Sequence, residues 1–303
     1  MKPCLLFIIL LTVFTQQSQS ALLFTGDIDL RYRNIDYQKN EFELHLAGIS
    51  LRKVFADKMG DRLTLFLLAE TMRNFKETMV DQVYAQYKGP LGKWKVTFGR
   101  YRLPFGLLPN YSTKRLLITT LENETMGISS DNGLQLSGTI KDFDYAFSLS
   151  QGVGSTIRQI DVDNNGLLSF RVGYQGVDFE DLRIGISGLT GKVTQEAHNE
   201  NNVLNKKLLG LDLIKYSGQL VTRGELSLGE ENNETLLGIF LGNDYALFPK
   251  IDANMGYGLV KVGDHKNTHF LTIGSTINIF AGFQVSIAQK FPIKIKGGAN
   301  EIY

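Results

Sequence analysis

The chain is poor in cysteine, in long apolar runs and in any surplus of charge, and each shortage removes a class of protein. Of its 303 residues one is cysteine, Cys4, and it falls inside the segment read below as a leader. The mature chain is then expected to carry no thiol, which excludes a disulfide scaffold, a cysteine-ligated metal and thiol catalysis. After the leader no apolar stretch approaches the length of a membrane helix, and the mean hydropathy is only -0.08. A helical membrane protein is excluded. Lys and Arg number 32 against 31 Asp and Glu, and loss of Lys2 with the leader makes the two equal. No bulk electrostatic pull toward nucleic acid is expected. Four histidines, His45, His198, His265 and His269, form no HExxH pattern, so no metal or other cofactor is expected.

What is present begins with residues 1–20, which read as a secretory signal. Lys2 supplies the basic start, Leu5 to Phe14 the apolar stretch, and Ser18-Gln19-Ser20 a small-x-small cleavage site before Ala21. The apolar stretch is about ten residues, half of the about 20 that a spanning helix needs. Residues 21–303 are expected to form one domain.

Nearly all of that domain alternates apolar and polar residues, the period-2 mark of strands whose two faces meet different surroundings. Ile28, Leu30 and Tyr32 interleave with Asp27, Asp29, Arg31 and Arg33. Trp94, Val96 and Phe98 interleave with Lys93, Lys95 and Thr97; Leu168, Phe170, Val172 and Tyr174 with Ser169 and Arg171; Leu182, Ile184 and Ile186 with Arg183 and Ser187. About fifteen such segments run from residue 22 to residue 292, separated by turn residues such as Asn164-Asn165-Gly166 and Tyr216-Ser217-Gly218. Two architectures yield this pattern, a soluble sandwich and a membrane barrel. The polar face mixes charge with Gly, Ser, Thr, Ala, Asn and Gln, as crowding in a lumen favours, and segments of roughly ten residues suit a tilted bilayer crossing. The expected fold is an all-β transmembrane antiparallel barrel. Closure in lipid calls for an even strand number: sixteen is expected, the weakly alternating tail at 293–296 supplying the last strand, with fourteen as the alternative.

One irregular stretch, residues 102–131 with Pro104 and Pro109, is too long for a simple connection. It carries most of a family resemblance. Residues 81–88 (DQVYAQYK), 96–107 (VTFGRYRLPFGL) and 131–138 (DNGLQLSG) resemble the bacterial phosphate-selective-type porins. There an acidic-x-x-Tyr-like strand leads into a Gly-basic-aromatic-basic-x-Pro-Phe-Gly segment, and a long loop returns through a Gly-hydrophobic-Gln-Leu-x-Gly strand. The resemblance implies a bacterial outer-membrane channel for passive diffusion of small hydrophilic solutes or ions, with outer-membrane lipid as its surroundings and a homotrimer as its assembly. It also implies that the long loop enters the pore, making Arg100, Arg102, Lys114 and Arg115 candidates for a basic constriction and Glu122, Glu124 and Asp131 their acidic partners. By parity Arg100 shares a face with Trp94, Val96 and Phe98, so a lumen role for it requires a bulge or a strand end. Asp27, Asp29, Arg31, Arg33, Lys93, Lys95, Arg171 and Arg183 are the lumen-facing candidates. The same inferred face carries the acids Glu41, Glu43, Asp144, Asp212 and Glu225, so phosphate selectivity does not follow from the residues.

Other readings are weaker. Residues 161–166 (DVDNNG) fit the first half of a calcium loop, but the twelfth position is Val172, and a polar hairpin turn accounts for them. A Ser275/His269 pair on one strand would be about 20 Å apart, too far to share a proton, and no nucleophile elbow stands out. A hydrolase is the lesser alternative, and a structural or adhesive surface barrel shares the folding evidence but lacks a conducting lumen.

Overall fold

A computed structural model of the chain describes residues 19–35, 39–58, 60–72, 75–109, 121, 125–154, 166–175, 181–197, 200–264, 266–280 and 283–292. Most of the expected leader, the 161–165 turn and the tail beyond 292 lie outside them. Fifteen strands lie among the described residues, hydrogen-bonded in chain order, β1 next to β2 and so on to β15. The pairings from β1 to β5 and from β7 to β15 are antiparallel. The segment from which a sixteenth strand was expected, 293–296, is outside the described residues. The strands form one sheet, not two packed sheets, so the sandwich reading has no counterpart.

The chain divides into two compact units, residues 1–101 with 130–139, and residues 102–129 with 140–303. The first holds β1 (Gln19–Ile35), β2 (Lys39–Asp57), β3 (Gly60–Met72), β4 (Glu77–Lys88), β5 (Trp94–Arg102) and most of β6 (Ser130–Ile140). Two irregularities lie in β4 and β5. Leu68 pairs with Gln82 and Ala69 with Val80, so Asp81 is an extra residue bulging from β4. Gly99 has φ of +118°, and a β-carbon there would collide with the Val83 carbonyl. Burial does not alternate along the end of β5: Thr97, Arg100 and Tyr101 are all buried, while the register on β4 runs on unshifted.

The second unit holds β7 (Phe143–Ser150), β8 (Leu167–Tyr174), β9 (Leu182–Ala197), β10 (Glu200–Ser217), β11 (Leu220–Glu231), β12 (Glu234–Phe248), β13 (Ile251–Val262), β14 (Lys266–Phe280) and β15 (Phe283–Pro292). At 8 to 19 residues, the strands of the chain outrun the expected ten or so because many hairpins continue past the apolar stripe. Burial on this sheet inverts the rule for soluble proteins: Leu209 is 65% exposed and Arg171 3%. On β10, Leu209, Leu211 and Leu213 form an exposed apolar row with Lys207 and Lys215 at its ends, while Lys206, Leu208, Gly210, Asp212 and Ile214 are buried on the other side.

What buries that other side is the connection between β5 and β6. Leu103, Phe105, Leu107, Leu108, Leu121, Met126 and Ile128 form one hydrophobic cluster with Leu167, Leu189, Val193, Leu208, Leu236, Phe240 and Val260 from the strands. The strands leave room for it through small residues. A β-carbon at Gly210 would lie 2.9 Å from the Phe105 ring, and one at Gly238 2.7 Å from Thr125.

Candidate functional site

The Pro104-Phe105-Gly106 turn is fastened to the sheet through Gly106 and the next residue, Leu107. Gly106 has φ of +53° and a β-carbon there would lie 2.6 Å from the Glu225 carboxylate, so the position admits only a residue without a side chain. The Gly106 N–H donates to Ser187 Oγ (3.1 Å) and the Leu107 N–H to Glu225 Oε2 (3.0 Å). Arg171 Nε donates to the Gly106 carbonyl at 3.1 Å. Further along, Lys206 Nζ donates to the Thr125 carbonyl at 2.6 Å, and the Thr125 hydroxyl and N–H both return to the Leu121 carbonyl. The described parts of the connection are thus bonded to β8, β9, β10 and β11.

The charges beneath the turn are paired. Arg171 makes two hydrogen bonds to Asp212, from Nε at 3.0 Å and from the terminal nitrogen at 2.7 Å, and a third to Asp144 at 2.8 Å. Lys206 pairs with Glu231 at 2.7 Å, and Arg223 with Asp244. Low surroundings polarity makes such pairs compulsory, because a buried charge without a partner is strongly destabilising.

In the first unit a separate polar cluster surrounds the β4 bulge. Arg100 Nε donates to the Asp81 carbonyl at 3.1 Å, and Ser130 Oγ donates to the Asp81 carboxylate at 3.3 Å. Arg100, Asp81, Ser130 and Asp131 are all buried. Arg100 is buried although the register of β5 on β4 is unshifted and sets it opposite the exposed Val83; the irregularity beside it is the β4 bulge at Asp81.

The remaining sequence-predicted residues are dispersed. Arg102 ends β5 half-buried, Lys93 is exposed beside the turn at Pro90–Gly92, and Lys95 is half-buried. Arg183 lies half-buried at the start of β9 with its guanidinium over the Tyr216 ring, 5.7 Å from the centroid. Asp27, Asp29, Arg31 and Arg33 sit in β1 opposite β2, with side chains outside the described residues. Lys114, Arg115, Glu122 and Glu124 are outside them altogether. Sequence reasoning missed Ser187 and Lys206 as partners of the loop and Arg223 as the partner of Asp244. All three share the buried parity with Arg171 and Asp212, which was the available signal. Ser275 and His269 are engaged elsewhere: Ser275 Oγ donates to the Asp252 carbonyl (3.0 Å) and His269 Nδ1 shares a hydrogen bond with Tyr257 Oη (2.9 Å).

No family model matches the chain, and no curated protein sequence matches it. Solved structures do. OmpT of Vibrio cholerae, an outer membrane protein, in its trimer form, superposes with a TM-score of 0.69 at 10% identity over 90% of this chain and 88% of that one. Salmonella typhi OmpF in complex with daunomycin gives 0.68 at 12% identity over 92% of each. The anion-selective porin of Comamonas acidovorans gives 0.63 at 12% identity over 86% and 85%. The fold is that of the bacterial outer-membrane β-barrels. These similar structures explain the inverted burial: in such a fold the leucine rows face outward and the paired charges inward.

Proposed function

We propose that the chain is a bacterial outer-membrane porin, a passive channel for small hydrophilic solutes or ions whose lumen is narrowed by the β5–β6 connection. The observation that carries this is the two-sidedness of the second unit. Its exposed side is a leucine row between Lys207 and Lys215, and its buried side is a network of ion pairs under a fastened loop. Lys207 and Lys215 are eight residues apart on one strand, about 26 Å along it at the usual rise and roughly 20 Å along the membrane normal at a tilt of about 40°, so lysines reaching outward from its ends come to the edges of the roughly 25 Å apolar band of an outer-membrane barrel. Aromatic pairs support the same placement: Tyr87 packs on Trp94 and Phe143 on Tyr174, ring centroids 5.8 and 5.1 Å apart, each pair beside a hairpin turn, where aromatic girdles lie.

Within this reading Arg100, Arg102, Lys114, Arg115, Glu122, Glu124 and Asp131 remain the constriction residues, and the resemblance to phosphate-selective-type porins supports an anion preference. A homotrimer, the form named for the Vibrio cholerae protein, is part of the proposal. The test is single-channel recording of the refolded chain in a planar bilayer, with reversal potentials in a salt gradient. Stable ohmic steps are expected. Silence from folded, heat-modifiable protein would overturn the channel and leave a structural or adhesive barrel.

A further inference from the structure

We propose that Arg183, backed by the Tyr216 ring, is a binding site for small carboxylate solutes; the proposal rests on the porin reading for its physiological setting. The argument begins with charge on the buried face of the second unit. Arg171 is met by Asp212 and Asp144, Lys206 by Glu231, and Arg223 by Asp244. Arg183 lies on the same face, since it pairs in register with Ile214 of β10, a residue of the buried side. Among the described residues no carboxylate meets it, and its Nε donor is buried with no acceptor.

Tyr216 does not neutralise that charge. A ring face supports a guanidinium by roughly 0.5–1 kcal/mol and leaves its full positive charge and its in-plane donors in place. With the guanidinium carbon over the ring and Nε buried, the edge that carries the two terminal nitrogens is what a solute meets, and that edge is a planar fork that fits a carboxylate with two parallel hydrogen bonds. Ile214 also pairs with Arg223, so the two arginines stand on one row, two strands or roughly 10 Å apart. Arg223 is committed to Asp244, which leaves Arg183 as the open member of the row. Its place is separate from the loop latch: Arg183 is four residues from Ser187 along β9, about 13 Å at the usual rise.

The test uses the full refolded chain in detergent with succinate as the probe, read by saturation-transfer NMR, beside reversal potentials in a planar bilayer. Arg183→Gln is expected to lower transfer to succinate roughly threefold, the weight of a half-exposed ion pair, and to shift the reversal potential toward cations. Lys215→Gln, on the opposite side of the sheet, is expected to change neither. Equal transfer to the wild-type chain and to Arg183→Gln overturns the site, whether or not the protein conducts. Loss of transfer in Arg183→Gln from a chain that never conducts supports the site and sinks only the channel reading. If Arg183→Gln does not refold, Arg183→Lys keeps the charge and removes the fork: weakened transfer supports the proposal and unchanged transfer overturns it.

Discussion

Arg171 on β8 and Asp212 on β10 join hands across an intervening strand, through two hydrogen bonds of 3.0 and 2.7 Å. The bridge passes over Gly185 of β9, where a β-carbon would lie 2.7 Å from the guanidinium carbon. The same arginine holds the Gly106 carbonyl, so the wall and the loop share one cation.

Arg171→Met is expected to leave Asp212 buried without a partner and to cost about 3–5 kcal/mol, whereas the double change with Asp212→Leu recovers most of it. Urea titrations of the folded protein in detergent measure both. A double variant as unstable as the sum of the two singles would sink the pairing.

Gly106→Ala places a side chain at positive φ and against Glu225. About 1–3 kcal/mol of strain follows, and the connection is expected to lift from β11. Single-channel records should show larger, noisier steps than wild type. Unchanged steps would mean that the turn does not set the pore.

Glu225 separates hydrogen bonding from charge. Glu225→Gln keeps an acceptor for the Leu107 N–H and is expected to behave nearly as wild type; Glu225→Leu leaves that donor buried and unmet, at about 1–3 kcal/mol. Stability in urea and channel noise should rank the two variants in that order, and equal behaviour would show that the contact carries nothing.

Leu211 lies midway along the exposed row of β10. Leu211→Arg is expected to cost about 2–4 kcal/mol of folding into lipid vesicles, against about 0–1 kcal/mol for an arginine placed near Lys207. A harmless Leu211→Arg would contradict the lipid-facing assignment.

Strand existence was legible in the sequence because a two-residue period sorts apolar from polar without knowledge of partners, as Leu168, Phe170 and Val172 against Ser169 and Arg171 illustrate. Irregularity was not. The bulge turns Asp81 to the buried side, where it meets Arg100, yet nothing there departs from the composition of an ordinary strand. The loop residues Leu103, Phe105, Leu107 and Leu108 were readable as apolar but not as a packed core, because their partners, such as Leu208 and Leu236, belong to strands whose pattern is satisfied without them. The acids Asp144, Asp212 and Glu225 were placed on the correct face but weighed only as charges against selectivity. Their work is to hold Arg171 and Leu107.

The latch also has an order in time. Among the described residues every strand pair joins neighbours in the chain, a low-cost pairing that can proceed hairpin by hairpin, whereas the hydrogen bonds from Gly106 to Ser187, Leu107 to Glu225, Arg171 to Gly106 and Lys206 to Thr125 span 65 to 118 residues. The earliest of them needs β8, which carries Arg171, and the set is complete only with Glu225 of β11. The loop therefore waits, with its leucines exposed, for strands synthesised long after it, and its docking is a separate and later event than zipping of the sheet. A chain stalled before β8 would carry the contacts of its first hairpins and none of the four bonds that seat the loop.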